Sequence, residues 1–181
     1  MASHTAHHEL PLPAFEAPVR LLAVVAPYYR EIADGLLTGV RRKAEAAGAS
    51  LDVIEVPGAL ELPTAIALAA RSGRYDGFVA LGCVIRGETT HYDTVCNDSS
   101  RGLTLLGLQG LCIGNGILTV ETMDQAVVRA DPGGQDKGGG AAAAALHLVA
   151  LARRFGLPDK RVPQAHDVIR LAGEIDGQGR A

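Results

Sequence analysis

Short apolar runs alternate along the chain with longer segments in which apolar residues recur at helical spacing. Continuous apolar runs of this length are typical of strands buried on both faces of a sheet. The intervening segments, such as the one in which Ile32, Leu36 and Val40 recur, are typical of amphipathic helices. The predicted strands cover residues 21–26, 53–56, 78–85 and 111–120.

Glycine, proline and capping residues predict where the first three helices begin and end. The first helix ends at Gly48, a natural C-terminal stop. The second covers residues 62–71 and carries Pro63 in its first turn, where proline is tolerated. Thr89 or Thr90 is expected to cap the third helix.

The last two helices are predicted from a capping pattern and a glycine-rich loop. Thr122 and Gln125 have the spacing of a capping box, which opens a fourth helix that ends near Arg129. A glycine-rich loop over residues 133–140 precedes an alanine-rich fifth helix, which stops at residues 155–158.

Strands that alternate with helices predict an α/β fold, a three-layer α/β/α sandwich with a four-stranded parallel sheet. We expect one domain over residues 19–156, between a flexible N-terminal arm (1–18) and a polar C-terminal tail (157–181). Ligands of such sheets bind outside the carboxyl ends of the strands. The candidate loops are therefore residues 27–30, 57–61, 83–91 and 114–119.

The composition favours a single domain with an aliphatic core. The chain has 181 residues, of which 48% are hydrophobic and only 4% aromatic, with no Trp. The mean hydropathy of +0.15 is high for a monomer, which predicts that sister subunits cover part of the surface. Seventeen basic residues against twenty acidic ones give a charge of −3, so no nucleic-acid partner is expected.

The cysteines and the apolar runs favour a reduced, cytoplasmic protein. Three cysteines without a Cys-x-x-Cys spacing predict neither disulfides nor a metal site. The first apolar run is too short for a signal peptide. The most hydrophobic stretch, residues 141–152, is shorter than the roughly 20 residues that a membrane span requires, so no membrane association is expected.

Several common enzyme motifs are absent from the sequence. There is no G-x-x-x-x-G-K-[ST], and Gly114 and Gly116 lack the third glycine of a dinucleotide fingerprint. Neither G-x-S-x-G nor H-E-x-x-H occurs. These absences argue against P-loop ATPases, Rossmann dehydrogenases, ordinary esterases and zinc proteases.

The densest group of reactive residues is the stretch CVIRGETTH, residues 83–91, where a buried strand leads into a helix start. Free backbone N–H groups at a helix start bind anions such as phosphate. His91 lies in the same turn, and imidazole is the side chain used most often for general acid-base catalysis, which suggests proton transfer. The alternatives are plain helix capping and a structural histidine. Cys83 is expected to serve packing, because its one evident nearby cation is Arg86.

Other candidates stand on neighbouring loops. Arg129 has a guanidinium fork suited to phosphate, or it stabilises the end of its helix. Lys137 adds a second positive charge, unless it is an ordinary solvated lysine. Tyr28 and Tyr29 offer faces that stack on a planar heterocycle, or they pack. The turn at residues 56–61 leaves backbone N–H and C=O groups available to hydrogen-bond the polar edge of a ring, although a purely structural turn has the same pattern.

Five motifs resemble one known family when they are read together. They are VPGALELP (56–63), GCVIRGETTHYD (82–93), NGILT (115–119), DQA (124–126) and DKG (136–138). In this order they closely resemble the 6,7-dimethyl-8-ribityllumazine synthase family over about residues 20–156. The resemblance implies a flavodoxin-like fold and the condensation of 5-amino-6-(D-ribitylamino)uracil with 3,4-dihydroxy-2-butanone 4-phosphate in riboflavin biosynthesis. It implies neither a metal nor an organic cofactor.

The resemblance also implies roles for individual residues. His91 would be the proton shuttle. The residues implied to contact the ribitylaminouracil are Tyr28, which stacks on the ring, Ala59, Leu60, Glu61, Cys83, Val84, Ile85 and Asn115. Those implied to receive the butanone phosphate are Glu88, Thr89 and Arg129, with Lys137 as a further cation.

Two departures from the family pattern fall in the uracil pocket. The family usually has Arg-Phe-Asn where this chain has Pro27-Tyr28-Tyr29, and Asn115 stands where Phe is frequent. We expect an altered pocket in which Tyr28 still stacks. The departures keep two other hypotheses open: a catalytically weak lumazine- or flavin-binding paralogue, and a phosphosugar enzyme of another chemistry.

The resemblance implies a homo-oligomer, either a pentamer or an assembly of pentamers, with sites between subunits. Association with riboflavin synthase is a further implied partnership. The N-terminal arm and the C-terminal tail are expected to hinder the closure of a larger shell.

Overall fold

Four parallel strands form a single sheet in a computed structural model of the protein, which describes residues 9–156. The spatial order is β2-β1-β3-β4, which confirms the predicted four-stranded parallel sheet. In chain order the strands are β1 (Arg20–Val25), β2 (Ser50–Glu55), β3 (Gly77–Ile85) and β4 (Ile113–Val120).

The predicted burial on both faces holds for the central strands β1 and β3 and is wrong for β2 and β4. These two strands lie at the edges of the sheet, where helices cover less of each face. Along β4 the exposed positions Asn115 and Thr119 alternate with buried neighbours. An apolar run therefore predicted a strand but not its position in the sheet.

Five helices cover the two faces of the sheet and complete the expected three-layer sandwich. Helices α1, α4 and α5 pack together on one face, and α2 and α3 pack on the other. The helices are α1 (Arg30–Ala46), α2 (Glu61–Ala70), α3 (His91–Leu108), α4 (Met123–Ala130) and α5 (Lys137–Arg154). None of the helices within residues 9–156 is long and apolar enough to cross a membrane.

The core is aliphatic, as the composition predicts. Alternate residues of β1 point to opposite layers, so that Ala23 and Val25 join the cluster under α1 and α5 while Leu22 and Val24 join the cluster under α2. Phe78 of β3 is the largest fully buried side chain among the described residues.

Helix α5 begins earlier than predicted, because Gly138, Gly139 and Gly140 belong to its first turn and not to a loop. Asp136 precedes the helix in a left-handed conformation (φ 43°), and its carboxylate accepts a hydrogen bond from the Gly139 N–H at 3.0 Å. This cap starts the helix at Lys137. Gly138 is needed for packing, since a Cβ there would overlap the carbonyl oxygen of Leu36.

The capping predictions for α3 and α4 had different outcomes. Thr122 caps α4 through a hydrogen bond from the Gln125 N–H at 3.3 Å, which confirms the predicted start. Thr90 is the N-cap of α3, but its side chain makes no capping hydrogen bond. The hydroxyl of Thr89 instead accepts a long hydrogen bond of 3.4 Å from the His91 N–H.

The described part of the predicted arm follows the amino-terminal edge of the sheet. Leu12 and Phe15 pack against a small apolar cluster there, and the Arg153 guanidinium donates to the carbonyl oxygens of Ala17 and Pro18 at 2.8 and 2.7 Å. Residues 1–8 of the arm, which was expected to be flexible, and the predicted polar tail at 157–181 lie outside the described residues.

Candidate active site

A cavity of about 470 Å³ opens at the carboxyl ends of β1, β2 and β3. This is the edge of a parallel sheet at which ligands are expected. The cavity brings together nine of the residues to which the family resemblance assigns a role, from three separate loops. These are Tyr28, Ala59, Leu60, Glu61, Cys83, Val84, Ile85, Thr89 and His91.

The two tyrosines stand between β1 and α1 on one wall of the cavity. Tyr28 is 77% exposed, and its ring meets that of Tyr29 edge-on with centroids 5.1 Å apart. Burial raises the pKa of the Tyr29 phenol, and the nearby Tyr28 and Cys83 raise it further. Tyr29 therefore presents a neutral hydroxyl to the cavity, while Tyr28 offers an open ring face to a ligand.

An ion pair joins this wall to the neighbouring loop. Arg30, the first residue of α1, donates from both terminal nitrogens to Glu55 at the end of β2, at 2.6 and 3.3 Å. The pairing raises the pKa of the Arg30 guanidinium and lowers that of the Glu55 carboxyl. The loops that carry Tyr28 and residues 57–61 are thereby linked at the rim.

The turn at residues 57–61 forms a second wall. The N–H of Glu61 donates to the carbonyl of Gly58 at 3.3 Å, which closes the turn before α2. Leu60 is the N-cap of α2 and supplies no side-chain cap, so the first amides of the helix lack that partner. Backbone donors and acceptors thus face a ligand beside the exposed Leu60 and Glu61.

The end of β3 forms the floor of the cavity. Cys83 is buried, and burial raises the pKa of its thiol to about 11. A thiol with so high a pKa is a poor nucleophile at neutral pH, which agrees with the expected packing role. Val84 and Ile85 are half-buried beside it and give the floor an apolar surface.

The start of α3 faces the floor. His91, the first residue of the helix, is exposed, and Thr89 lies two residues before it on the same side of the cavity. The N-cap Thr90 makes no side-chain hydrogen bond, while the His91 N–H donates to the Thr89 hydroxyl. The positive end of the helix dipole at this point attracts an anion. A phosphate group and an imidazole can therefore share this end of the cavity.

Four sequence-predicted residues lie away from the cavity of the single chain. Glu88 is exposed on the loop before α3, and Asn115 is exposed on the edge strand, where its side-chain oxygen accepts from the Ile117 N–H at 3.0 Å. Arg129 is half-buried on α4 and donates to the Gln125 carbonyl at 3.0 Å. Lys137 is exposed as the first residue of α5.

Several residues that line the cavity had no substrate contact predicted from the sequence. Tyr92 follows His91 in a motif already noted, so its position beside a candidate residue was an available signal. Val95 lies one helical turn beyond His91 and had no predicted role. Four other lining residues were candidates by position but were given no substrate contact: Tyr29 as a stacking ring, Pro57 and Gly58 in the turn at 56–61, and Gly87 in the stretch at 83–91.

No group of three or more histidine, cysteine or acidic side chains among residues 9–156 has a geometry that would hold a metal ion. The groups available to a ligand in the cavity are aromatic rings, backbone amides, one imidazole, one carboxylate and hydroxyls. Such a set suits stacking, anion binding and proton transfer.

A model of one protein family, described as 6,7-dimethyl-8-ribityllumazine synthase, matches residues 18–153. The chain belongs to the 6,7-dimethyl-8-ribityllumazine synthase family. The match to the lumazine synthase family takes in all four strands and every residue that lines the cavity.

Individual relatives carry the same family name. A 6,7-dimethyl-8-ribityllumazine synthase of Jannaschia sp. (strain CCS1) is 58% identical over 158 residues, which cover 87% of this chain and 88% of the relative. That of Sphingopyxis alaskensis is 56% identical over 76% of this chain and 97% of its own length. The Erythrobacter litoralis lumazine synthase is 53% identical over 76% and 98%.

Proposed function

We propose that the chain is a 6,7-dimethyl-8-ribityllumazine synthase, a transferase that condenses 5-amino-6-(D-ribitylamino)uracil with 3,4-dihydroxy-2-butanone 4-phosphate in riboflavin biosynthesis. The observation that carries the proposal is the meeting of Tyr28, Thr89 and His91 around one cavity inside the family match. A stacking ring, an anion-binding helix start and a proton carrier then serve one reaction.

The uracil is proposed to bind between the tyrosine wall and the floor of the cavity. The exposed ring of Tyr28 stacks on the pyrimidine, and the apolar surface of Val84 and Ile85 lies below it. Ala59, Leu60 and Glu61 contribute backbone groups and a carboxylate to the polar edge of the ring and to the ribityl hydroxyls.

The butanone phosphate is proposed to bind at the start of α3. Glu88 and Thr89 belong to the turn that precedes the helix, and the positive end of the helix dipole there attracts an anion. Arg129 and Lys137 do not line this cavity within one chain. We therefore assign them, with Asn115, to the cavity of a neighbouring subunit.

The proposed reaction joins the two substrates through an imine. The uracil amine attacks the ketone carbon and water leaves; phosphate is then eliminated, and ring closure with loss of a second water completes the lumazine. Holding two reactants together supplies roughly 7–11 kcal/mol of rate enhancement in favourable cases. Proton relay by His91 adds about 10²- to 10⁴-fold, so positioning outweighs acid-base catalysis.

The intersubunit sites require a homo-oligomer, proposed as a pentamer or an assembly of pentamers. Exposed apolar residues on α4 support it, because Val127 and Val128 are 51% and 50% exposed near Arg129 in the chain. A pentamer would sediment at about 94 kDa, five times the 18.8 kDa of one chain. A monomer at assay concentration would contradict the intersubunit assignment.

The deciding experiment mixes the purified protein with both substrates and follows the fluorescence of the lumazine product. Steady turnover supports the proposed enzyme. Tight binding of the pigment without turnover favours the catalytically weak lumazine- or flavin-binding paralogue, which the Pro27-Tyr28-Tyr29 departure motivates. If the protein shows neither turnover nor pigment binding, both the enzyme and the pigment-binding paralogue are refuted.

Two further proposals follow from the family resemblance. The protein acts in the cytoplasm, and it associates with riboflavin synthase. Fractionation of cells tests the first, and co-sedimentation of the purified protein with riboflavin synthase tests the second. Sedimentation would also reveal a shell-sized particle, which would refute the expectation that the arm and the tail hinder shell closure.

A further inference from the structure

Arg86 does not line the cavity, although its chain neighbours Ile85 and Gly87 do. It follows the last residue of β3, and its backbone N–H donates to the Val120 carbonyl at 3.0 Å, which continues the pairing of β3 with β4. The backbone of Arg86 is therefore fixed to the sheet, while its side chain is free to reach the loops above the sheet.

The guanidinium of Arg86 contacts three side chains at once. Its Nε donates to both carboxylate oxygens of Glu121, at 2.8 and 3.1 Å, and one Nη lies 3.3 Å from Asp93. The Cζ atom lies 4.0 Å from the centroid of the Tyr92 ring. These contacts use the planar face and the forked edge of the group together.

Two of these partners directly follow His91 in the first turn of α3. Tyr92 lines the cavity, and Asp93 is the acidic residue of that turn. The side chain of the N-cap Thr90 makes no hydrogen bond to α3, and the hydrogen bond from the His91 N–H to the Thr89 hydroxyl is long at 3.4 Å. The Arg86 side chain is therefore a principal contact that holds this turn in place on the sheet.

The third partner connects the same guanidinium to the next loop. Glu121 follows β4, and its N–H donates to the side chain of Gln125 at 3.0 Å. The Gln125 carbonyl in turn accepts from Arg129 at 3.0 Å. The Arg86 side chain thus joins the loop that carries His91 to the one that precedes Arg129.

We propose that Arg86 is a positioning residue. It holds the first turn of α3, and with it the His91 imidazole, in the position in the cavity that catalysis requires. This inference rests on the proposed function. The contacts are exposed, with 41% of the Arg86 side chain accessible, so their contribution to global stability is small. Their effect is on geometry, to which catalysis is far more sensitive than folding is.

The test compares Arg86→Ala and Arg86→Lys with the wild type in the fluorescent turnover assay. Lysine keeps the charge but has neither the fork nor the plane, so it cannot hold Glu121, Asp93 and Tyr92 together. We expect kcat to fall about 10- to 100-fold in Arg86→Ala and at least about tenfold in Arg86→Lys, with KM for both substrates within about threefold.

Variants of the partners separate positioning from direct phosphate binding. The double variant Glu121→Gln with Asp93→Asn should reproduce most of the loss in kcat. Adding Arg86→Ala to it should cost little more, because groups that act as a unit are not additive. If Arg86 bound phosphate itself, its loss would raise KM for the butanone phosphate, and the partner variants would leave kcat unchanged.

Arg153→Lys is the matched control. Arg153 also combines an ion pair, to Asp76 at 3.3 Å, with a ring contact, to Phe15 at 5.4 Å, but its partners lie at the amino-terminal edge of the sheet. This variant should keep the wild-type kcat. Wild-type kcat in Arg86→Lys, or a loss confined to KM, would overturn the proposal. An inactive wild type would instead refute the proposed function.

Discussion

Gly138 in α5 lies so close to Leu36 in α1 that an added methyl group would overlap the Leu36 carbonyl oxygen. The obstacle is backbone, which cannot rotate away as a side chain can. Gly39 forms the matching surface on α1, where a Cβ would meet the carboxylate of Asp136. This close approach of the two helices fixes the position of the start of α5, and therefore the position of Lys137.

We expect Gly138→Ala to lower the free energy of unfolding by about 1–3 kcal/mol, because α5 must move away from α1. Gly140→Ala is the matched control in the same helical turn, where an added Cβ meets nothing within 4 Å. It should stabilise the protein by about 0.5–1 kcal/mol. Urea unfolding at one protein concentration measures both. Equal stability of the two variants would contradict the packing argument.

Tyr28→Ala should weaken the capture of ribitylaminouracil. Stacking of a base on an aromatic ring contributes about 1–3 kcal/mol, so KM for the uracil should rise about tenfold or more. The midpoint of urea unfolding should barely change, because Tyr28 is 77% exposed. Tyr28→Phe keeps the ring and should retain near-normal kinetics. Full activity of Tyr28→Ala would favour a phosphosugar enzyme of another chemistry.

His91→Ala and Arg129→Ala should affect different kinetic constants. Loss of the His91 imidazole should lower kcat by about 10²- to 10⁴-fold. Loss of the Arg129 guanidinium should mainly raise KM for the butanone phosphate, because a fixed positive fork is removed from the proposed phosphate site. Steady-state kinetics with each substrate varied in turn measures both effects. Unchanged constants in both variants would overturn the assigned roles.

Cys83 should make the protein less stable in alkaline solution. Burial raises the pKa of its thiol from 9.0 to about 11. Between these values the unfolded thiol loses its proton while the folded one keeps it, so the free energy of unfolding falls as the pH rises. Unfolding midpoints at about pH 8 and about pH 10 should differ less in Cys83→Ala than in the wild type. An equal difference would exclude Cys83 as the titrating group.

The sequence allowed most elements of the fold to be predicted, because each signal is local. The recurrence of Ile32, Leu36 and Val40 correctly indicated α1, and the spacing of Thr122 and Gln125 indicated the start of α4. Helix α5 was misjudged at its start, since a run of glycines reads as a loop until the neighbouring helix is known.

The candidate residues were recognised from short motifs, and nine of them meet in one cavity although three loops supply them. Contacts between residues that are far apart in the sequence were not predicted. Arg86 and Glu121 are 35 positions apart in the sequence, and Arg30 and Glu55 are 25 positions apart. No local pattern in the sequence indicates that either pair is in contact.

Periodicity, capping spacing and motif order are properties of neighbouring residues, so the chain alone specified four strands, five helices and the family to which the protein belongs. Three features depend instead on which distant surfaces pack together. They are the edge positions of β2 and β4, the close packing of α5 on α1, and the contacts of Arg86 with the first turn of α3. Such contacts arise when the sheet and its two helical layers assemble, because packing joins residues that no local pattern relates.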